Sequence, residues 1–198
     1  NLPKNAKLTW WQRFQVWSYV DFKPIRILVR FIIWVVRGTP LMLQLLVFYY
    51  FPGLVLGKNI WGGGEAGRFL ASSIAFIFNY ACYFSEIFRG GIESISLGQY
   101  EAAKVLGYNK RQTFSLIILP QVVKRILPSI TNEVITLVKD TSLAFVIGYA
   151  ELFTLVKRIA SREASVLPYV GAAIFYYIFN LVVAVVMEKL EKKMSYYS

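Results

Sequence analysis

Histidine is absent from this chain of 198 residues, and cysteine occurs once, as Cys82. Without histidine there is no His-based metal site and no Ser-His or Cys-His nucleophile pair. A single cysteine cannot form a disulfide within the chain. No segment has the form GxxxxGK[ST], so we expect no Walker-type ATP site. We therefore predict that the chain has no catalytic residues and no metal ligands.

Charge is also scarce, since only 17% of the residues are charged and 57% are hydrophobic. Together with a mean hydropathy of +0.50, this composition is typical of a membrane protein. Lys and Arg number 22 against 11 Asp and Glu. These cations are spread between apolar segments instead of lining one polar face, which favours basic cytoplasmic loops over nucleic-acid binding.

Four apolar stretches are long enough, or nearly so, for the roughly 20 residues that a membrane-spanning helix needs. The apolar stretches cover residues 26–51, 69–88, 114–150 and 168–187. In the third, Lys124 and Arg125 indicate that the chain enters the membrane only near Ile126. Basic residues concentrate at 1–26, 89–111 and 189–193, which alternate crossings place on one side, and we expect that side to be cytoplasmic. The basic loop at 157–162 would lie outside and weakens this count without reversing it.

The distribution of apolar stretches and basic residues also predicts the division of the chain into an N-terminal segment, a transmembrane domain and a tail. Residues 1–25 are basic and aromatic and suggest an interfacial or cytoplasmic segment, before which we expect a further transmembrane helix to be missing. Residues 26–190 form the predicted transmembrane domain, with a cytoplasmic loop at 89–113. Residues 191–198 are the predicted cytoplasmic tail.

The stretch NEVITLVKDTSLAFVIG at residues 132–148 carries ionisable groups inside an apolar segment. If the chain is helical from Pro128, a rise of 1.5 Å per residue places Lys139 and Asp140 about 16 Å further along. That depth is near the centre of a hydrocarbon core about 30 Å thick.

Helical spacing predicts a polar stripe on this segment, because offsets of four, seven and eleven residues return to nearly the same angle. The residues on the stripe are Ser129, Glu133, Thr136 and Asp140. At membrane depth such a stripe must face protein or a wet cavity, and the usual reason to keep charges there is a substrate or ion path.

A predicted helix break lies at similar depth in the first span, where the tripeptide GTP occupies residues 38–40 directly after Arg37. Arg37 could donate paired hydrogen bonds to a carboxylate, with help from Lys139. Glu133 and Asp140 could then accept an ammonium group. The set predicts a zwitterion site, and the alternative is a structural ion pair that fastens two helices.

The polar loop contains its own helix signals. Ser96 followed by Gln99 has the spacing of a capping box, which predicts a short helix over 97–106 that Gly107 ends. Asn109 with Gln112 repeats the start signal.

Two short helices would form a compact cytoplasmic knob over residues 97–112, in which Ala102 and Ala103 leave room for another surface. A docking element and an ordinary connecting loop are equally open on these residues alone.

A family resemblance rests on seven positions, Glu101, Ala102, Ala103, Gly107, Ile117, Leu119 and Pro120. Their spacing matches the EAA signature of the membrane subunits of ABC importers. Further segments resemble the polar amino acid uptake branch of that family: RGTPL at 37–41, SEIFRGGIES at 85–94, LGQYEAAKVLG at 97–107, LPQ at 119–121 and NEVITLVKDTSLAFVIG at 132–148. The similarity covers roughly residues 26–190.

The resemblance implies an all-α, polytopic transmembrane helical bundle of the type I ABC importer permease fold, with short cytoplasmic coupling helices. In that family the knob is a coupling helix seated in a groove of the ATPase subunit. The positions that would couple to the ATPase here are Glu101, Ala102, Ala103 and Gly107. The family usually has five crossings, and residues 1–24 match its first helix poorly.

The resemblance also implies a mid-membrane substrate pocket, whose matching positions here are Arg37, Glu133, Lys139 and Asp140. The implied partners are ABC ATPase subunits that bind ATP and Mg²⁺, a second permease chain, an extracellular substrate-binding protein and the lipid bilayer. No cofactor is expected in this chain. The cargo would be an amino acid, polar or charged and possibly basic.

Two other functions remain open at this point. An ion-coupled secondary transporter of a small polar solute would use Glu133 or Asp140 to carry a proton. A non-transporting membrane scaffold would keep the docking knob alone. The first leaves the EAA loop unexplained, and the charged stripe argues against the second.

Overall fold

A computed structural model describes residues 24–194, and within that range the chain is helical and contains no β-strand. The α-helices are α1 Pro24–Arg37, α2 Leu41–Leu56, α3 Gly64–Glu93, α4 Leu97–Val105, α5 Lys110–Gln112, α6 Leu119–Asp140, α7 Leu152–Glu163 and α8 Leu167–Met194. A π-helical segment, Thr113–Ile118, precedes α6, and a 3₁₀ segment, Thr141–Ile147, follows it. The predicted interfacial segment at 1–25 and the end of the predicted tail lie almost entirely outside the described residues.

The described residues fall into two compact units that divide between Gly38 and Thr39. The first unit contains α1, which exposes several large apolar side chains, among them Phe31 and Trp34. The second unit contains the remaining helices.

The chain breaks where the GTP tripeptide predicts it. Helix α1 ends at Arg37, and α2 begins at Leu41 after Pro40 takes up extended angles, with φ −61° and ψ 132°. Proline has no N–H to continue a helix and forces the residue before it out of helical angles. The predicted break in the first span is confirmed.

Three described helical stretches are long and apolar enough to cross a membrane, and the number rises to four if the two helices flanking the break form one span. The three stretches are Gly64–Glu93, Lys110–Ile147 and Leu167–Lys193. They coincide with the second, third and fourth predicted spans. Helix α8 exposes apolar side chains along most of its length, as expected for a face that meets lipid.

Two apolar clusters hold the second unit together. In one, Leu45 of α2 and Ala75 of α3 pack with Ile147 of the 3₁₀ segment. In the other, Ile118, Val122 and Ile126 pack with Ile95 near the predicted cytoplasmic ends of α3 and α6. Between these clusters α3 lies against α6, and α6 in turn packs against α8. Helix α6 therefore packs against both α3 and α8.

The crossing of α3 and α6 is close because of Gly91. A Cβ atom built on Gly91 would lie 2.2 Å from Cγ2 of Ile126 and 3.2 Å from Cγ1 of Val122. Real Cβ atoms do not approach neighbours this closely, so only glycine fits. Gly90, one residue earlier, faces open space.

The knob (residues 97–112) contains two short helices, as predicted, but only one of its two start signals works as expected. Asn109 Oδ1 accepts the N–H of Gln112, and Gln112 Oε1 accepts the N–H of Asn109, both at 3.0 Å. Ser96 makes no side-chain cap, so the predicted capping box at Ser96 was wrong. Gln99, which would have completed that box, instead accepts a hydrogen bond from Gln121 of α6 at 3.1 Å.

The end of α4 and the start of α6 follow from two special residues. Gly107 has φ +80° and ends the first knob helix in the left-handed region, as predicted. Pro120 lies in the first turn of α6 and cannot donate to the carbonyl of Leu116, and the preceding segment adopts wider π turns, in which Leu119 N–H donates to Phe114 O.

Candidate functional site

Helix α6 is continuous from Leu119 to Asp140, even though Pro128 lies inside it. Glu133, Lys139 and Asp140 therefore share one helix, and the spacing argument for the polar stripe applies to the real chain. Ser129 and Thr136 on that stripe are exposed, whereas Glu133 and Asp140 are half-buried. The two carboxylates are the members of the stripe that pack against the rest of the unit.

Asp140 is the best-defined carboxylate of the site. The Tyr80 hydroxyl of α3 donates a hydrogen bond to Asp140 Oδ2 at 2.9 Å, across 60 positions of sequence. Tyr80 is only 6% exposed, so its ring is held by packing and its hydroxyl has little freedom. A buried donor of this kind fixes the direction in which the carboxylate points while leaving its other oxygen available.

Glu133 and Lys139 lie near Asp140 but play different structural parts. Glu133, two turns earlier on α6, acts electrostatically on the Tyr80 hydroxyl, which places it in the same polar region. Lys139 is exposed, and over the described range it forms no ion pair with Asp140 or any other carboxylate. Lys139 therefore does not fasten α6 to another described helix by an ion pair.

Arg37 is the last residue of α1 and is exposed. It belongs to the first unit, while the three charged residues of α6 belong to the second. Its role beside a substrate carboxylate stays a prediction.

A buried polar network was missed by reasoning from sequence. Asn79 of α3 donates through Nδ2 to Gln44 Oε1 of α2 at 2.9 Å, and both side chains are buried. Gln44 Nε2 in turn donates to Thr39 Oγ1 at 2.9 Å and to Thr39 O at 3.1 Å. Asn79 is the neighbour of Tyr80 on α3. Polar amides inside otherwise apolar spans were the available signal, because such groups are kept at membrane depth only with partners.

The network and the carboxylates share the same stretch of α3. Residue 79 reaches towards α2 and residue 80 towards α6, so one turn of α3 connects the start of α2, just after the helix break, to the end of α6. The turn that follows the 3₁₀ segment is also held to α3, since Glu65 Oε2 accepts the N–H of Ala150 at 3.2 Å. Both ends of the 3₁₀ segment are thus tied to one helix.

The predicted coupling residues lie together in the knob. Ala103 is fully buried, while Glu101 and Ala102 are exposed. Gly107 makes the turn between the two knob helices. The exposed face also carries Leu97 and Val105, which are 77% and 87% exposed. An apolar surface of this kind on a small polar knob is typical of a site for another protein.

A polar region inside apolar helices, joined by a long helix to an exposed knob, is typical of a polytopic membrane transport subunit. The sequence from residue 17 to 196 matches the family model described as binding-protein-dependent transport system inner membrane component. Because this match spans most of the chain, the chain belongs to that family.

Individual relatives agree with this membership. The putative glutamine transport system permease protein GlnP of Rickettsia conorii is 32% identical over 87% of this chain and 77% of the relative. The arginine transport system permease protein ArtQ of Bacillus subtilis is 34% identical over 88% and 77%. The L-cystine transport system permease protein TcyB of the same species is 34% identical over 88% and 73%.

A solved structure supports the fold. The chain matches the crystal structure of an amino acid ABC transporter with histidines, with a TM-score of 0.76 and 33% identity, over 88% of this chain and 79% of that chain. The protein is therefore a multi-pass permease subunit of an ABC importer, with the type I permease fold. As a transport subunit it is not an enzyme, and the family membership decides against the ion-coupled secondary transporter.

Proposed function

We propose that this permease moves an amino acid, polar or charged, across the cytoplasmic membrane of a prokaryote. The observation that carries the proposal is Asp140, a carboxylate at the end of a membrane helix that a buried tyrosine orients. The printed names of the relatives, which include glutamine, arginine and cystine transport, support an amino acid as the cargo.

In this proposal each charged residue recognises one part of the zwitterion. Arg37 binds the carboxylate through its planar guanidinium, and Lys139, which is exposed and forms no ion pair with a carboxylate among residues 24–194, assists it. Asp140 and Glu133 accept the ammonium group. Two carboxylates exceed what one ammonium requires, which favours a cargo with an additional basic group.

The partners follow from the exposed knob and from the family. Two ATPase subunits bind ATP and Mg²⁺ and receive the knob through Glu101, Ala102, Ala103 and Gly107. A second permease chain, identical or related, completes the membrane part, and an extracellular binding protein delivers the amino acid. No cofactor is assigned to this chain.

The mechanism that fits these parts is alternating access. ATP closes the ATPase pair, the two knobs move together, and the region around Asp140 opens outward to receive the amino acid. Hydrolysis returns it to the inward-facing state. The substrate can bias this equilibrium only by its difference in affinity for the two states.

Uptake in proteoliposomes tests the proposal directly. The permease, its ATPase and its binding protein are reconstituted, and a panel of radiolabelled amino acids is offered with ATP, without ATP, or with an ion gradient alone. We expect accumulation of at least one amino acid with ATP only. Uptake driven by the ion gradient would overturn the proposal, and ATPase binding without uptake of any amino acid would support the scaffold alternative.

A further inference from the structure

A buried proline, Pro52, lies inside α2, and the chain stays helical around it from Leu41 to Leu56. Proline has no N–H, so residue 52 cannot donate the helical hydrogen bond to the carbonyl of Phe48, four residues earlier. Phe48 belongs to the first apolar stretch, at residues 26–51. A carbonyl without its donor is costly inside a membrane span, where water cannot replace it. A donor from outside the helix is therefore favoured at this point.

A tryptophan after α2 supplies that donor. The Trp61 indole N–H donates to the Phe48 carbonyl oxygen at 3.0 Å, across 13 positions of sequence. Trp61 lies on the segment that joins α2 to α3, residues 57–63, which we call the outer loop because alternate crossings place it on the predicted extracellular side. The proline thus removes one donor and the tryptophan replaces it.

Hydrogen bonds within the outer loop hold the backbone around Trp61. Asn59 Oδ1 accepts the Trp61 N–H at 3.1 Å, and Asn59 Nδ2 donates to the Gly62 carbonyl oxygen at 2.8 Å. Gly62 has φ +75°, a left-handed angle that glycine adopts without strain. The indole is therefore carried by a turn whose backbone is fixed on both sides of it.

The outer loop also lies directly against the start of α3. A Cβ atom built on Gly67 would lie 2.5 Å from the carbonyl oxygen of Trp61 and 2.8 Å from that of Gly62. These separations are too short for a real Cβ atom, so a glycine is required there. The loop consequently contacts α2 through its indole ring and α3 through its backbone.

Deeper contacts join the same two helices. Asn79 of α3 donates to Gln44 of α2 at 2.9 Å, close to the helix break. One turn further along α2, the ring of Phe48 packs with that of Phe78, with their centroids 5.5 Å apart. The outer loop adds a third point of attachment at the outer ends of α2 and α3.

We propose that Trp61 permanently fastens the outer end of α2 to α3, by donating to the carbonyl that Pro52 leaves without its helical donor. Releasing the indole would expose that carbonyl inside a membrane span, so the attachment stays closed throughout transport. Helices α2 and α3 then move as one unit, and outward opening occurs at the contacts of this pair with other helices. This last consequence rests on the proposed alternating access, whereas the attachment itself does not.

Hydrogen–deuterium exchange of the purified transporter, resolved by peptide mass spectrometry, tests the attachment. Trp61→Phe keeps an aromatic ring and removes the donor. We expect exchange in the outer loop and in residues 53–56 of α2 to become about five- to ten-fold faster. Trp34→Phe removes the same kind of N–H from a tryptophan that is 73% exposed on α1, and it serves as the matched control. Exchange no faster in Trp61→Phe than in this control would overturn the proposal.

The double variant Pro52→Ala/Trp61→Phe tests whether the hydrogen bond itself matters. The alanine N–H can donate to the Phe48 carbonyl, so residues 53–56 should regain normal exchange while the outer loop stays fast. If residues 53–56 exchanged as fast in the double variant as in Trp61→Phe, Trp61 would act through packing of its ring, and the proposal would fail.

Gly67→Ala tests the contact with α3 while leaving the indole intact. The added methyl group pushes the outer loop away from α3, and we expect about five-fold faster exchange in the loop. Gly63→Ala adds the same group where no atom lies within 4 Å, and is the control. Equal exchange in these two variants would contradict the attachment of the loop to α3.

The permanence of the attachment is tested on the unmodified transporter. Exchange in the outer loop should be the same without nucleotide and after trapping with ATP and vanadate. Loss of protection in either state would show that the attachment opens during the cycle, and would overturn its permanence. The comparison of variants needs neither amino acid nor ATP, so its failure is distinguishable from a failure of the proposed transport activity.

Discussion

At the scale of single residues, the hydrogen bond from the Tyr80 hydroxyl fixes the orientation of the Asp140 carboxylate. A carboxylate that already accepts one charge-assisted hydrogen bond is held in one orientation, and it binds a cation without first losing its own side-chain freedom. The same bond connects α3 to the last residue of α6. Helix packing and the proposed substrate binding therefore meet at one carboxylate.

Replacing Asp140 with Asn should reduce transport far more than assembly, because the amide keeps the size of the side chain and loses its negative charge. We expect ATP-driven uptake to fall by roughly ten-fold or more, since hydrogen bonds to charged groups contribute about 1.5–3 kcal/mol. Uptake in proteoliposomes and the yield of intact complex are the measurements. Glu163→Gln, an exposed carboxylate of α7, is the control, and unchanged uptake in Asp140→Asn would remove this residue from the site.

Tyr80→Phe tests the orienting hydrogen bond separately. It removes one oxygen atom from a packed ring, so we expect the complex to form normally while the substrate concentration for half-maximal uptake rises by about three- to ten-fold. In the Asp140→Asn background the same change should add little, because the pair acts as a unit. Equal effects in both backgrounds would mean that Tyr80 acts through packing alone.

At the scale of helices and segments, the crossing of α3 and α6 depends on a missing side chain. Gly91 lets Ile126 and Val122 approach α3 at the predicted cytoplasmic end, and the cluster around Ile118 forms beside it. The position of α6 along α3, and with it the pairing of Tyr80 with Asp140, rests partly on this contact.

Gly91→Ala should therefore destabilise the protein by about 1–3 kcal/mol, which is the usual cost of overpacking a close contact. We expect a lower thermal midpoint for the purified permease in detergent. Gly90→Ala adds the same methyl group to open space one residue away and should change the midpoint little. If the two variants melted at the same temperature, the close approach at Gly91 would contribute nothing measurable to the stability of the permease.

The boundaries of these helices could be predicted where one residue decides the backbone. Pro40 ends the helix before it, Gly107 ends the first knob helix, and the period of α6 places Glu133 and Asp140 on one stripe. The cap at Ser96 and the π turns before α6 could not be predicted in the same way. Gln99 is engaged by Gln121 from a distant part of the chain, and the π turns depend on how the chain enters α6 after the knob.

At the scale of the whole molecule, the proposed coupling face and the proposed substrate site are far apart. The coupling face lies on α4, and the continuous helical stretch Lys110–Ile147, which contains Asp140, begins just after the turn at Gly107. The exposed part of the knob, around Glu101 and Val105, is where the ATPase would apply force. Helix α6 and its π-helical beginning connect this region to Asp140. A variant at the knob should thus separate ATP hydrolysis from transport without changing the substrate site.

Glu101→Lys should leave the permease inserted in the membrane and weaken its association with the ATPase, because it reverses an exposed charge on the proposed docking face. We expect the ATPase to be lost on co-purification, or its hydrolysis to stop responding to substrate. Glu191→Lys reverses a similarly exposed charge on α8 and is the control. Normal ATP-driven uptake in Glu101→Lys would remove Glu101 from the coupling contact.

Long-range pairing is the part of the site that the sequence did not reveal. Asp140 and Glu133 could be chosen from helical period and from the cost of charge in lipid, but nothing near them points to Tyr80, 60 positions earlier. Likewise Gln44 and Asn79 each look like isolated polar residues until α2 and α3 pack together. These partners are decided by tertiary packing, which local pattern does not contain.

The π turns between Thr113 and Ile118 lie at the start of the long helix that ends at Asp140, where a change of hydrogen-bond register would rotate that helix. From there to Asp140 the helical chain rises about 40 Å without a break, so a rotation at the inner end would carry the carboxylate with it. Shifting the hydrogen bonds of that segment by a single residue would turn the rest of the helix by about 100°. The charged stripe would then face a different neighbour, which is the kind of exchange a pump needs to present its cargo first to one compartment and then to the other.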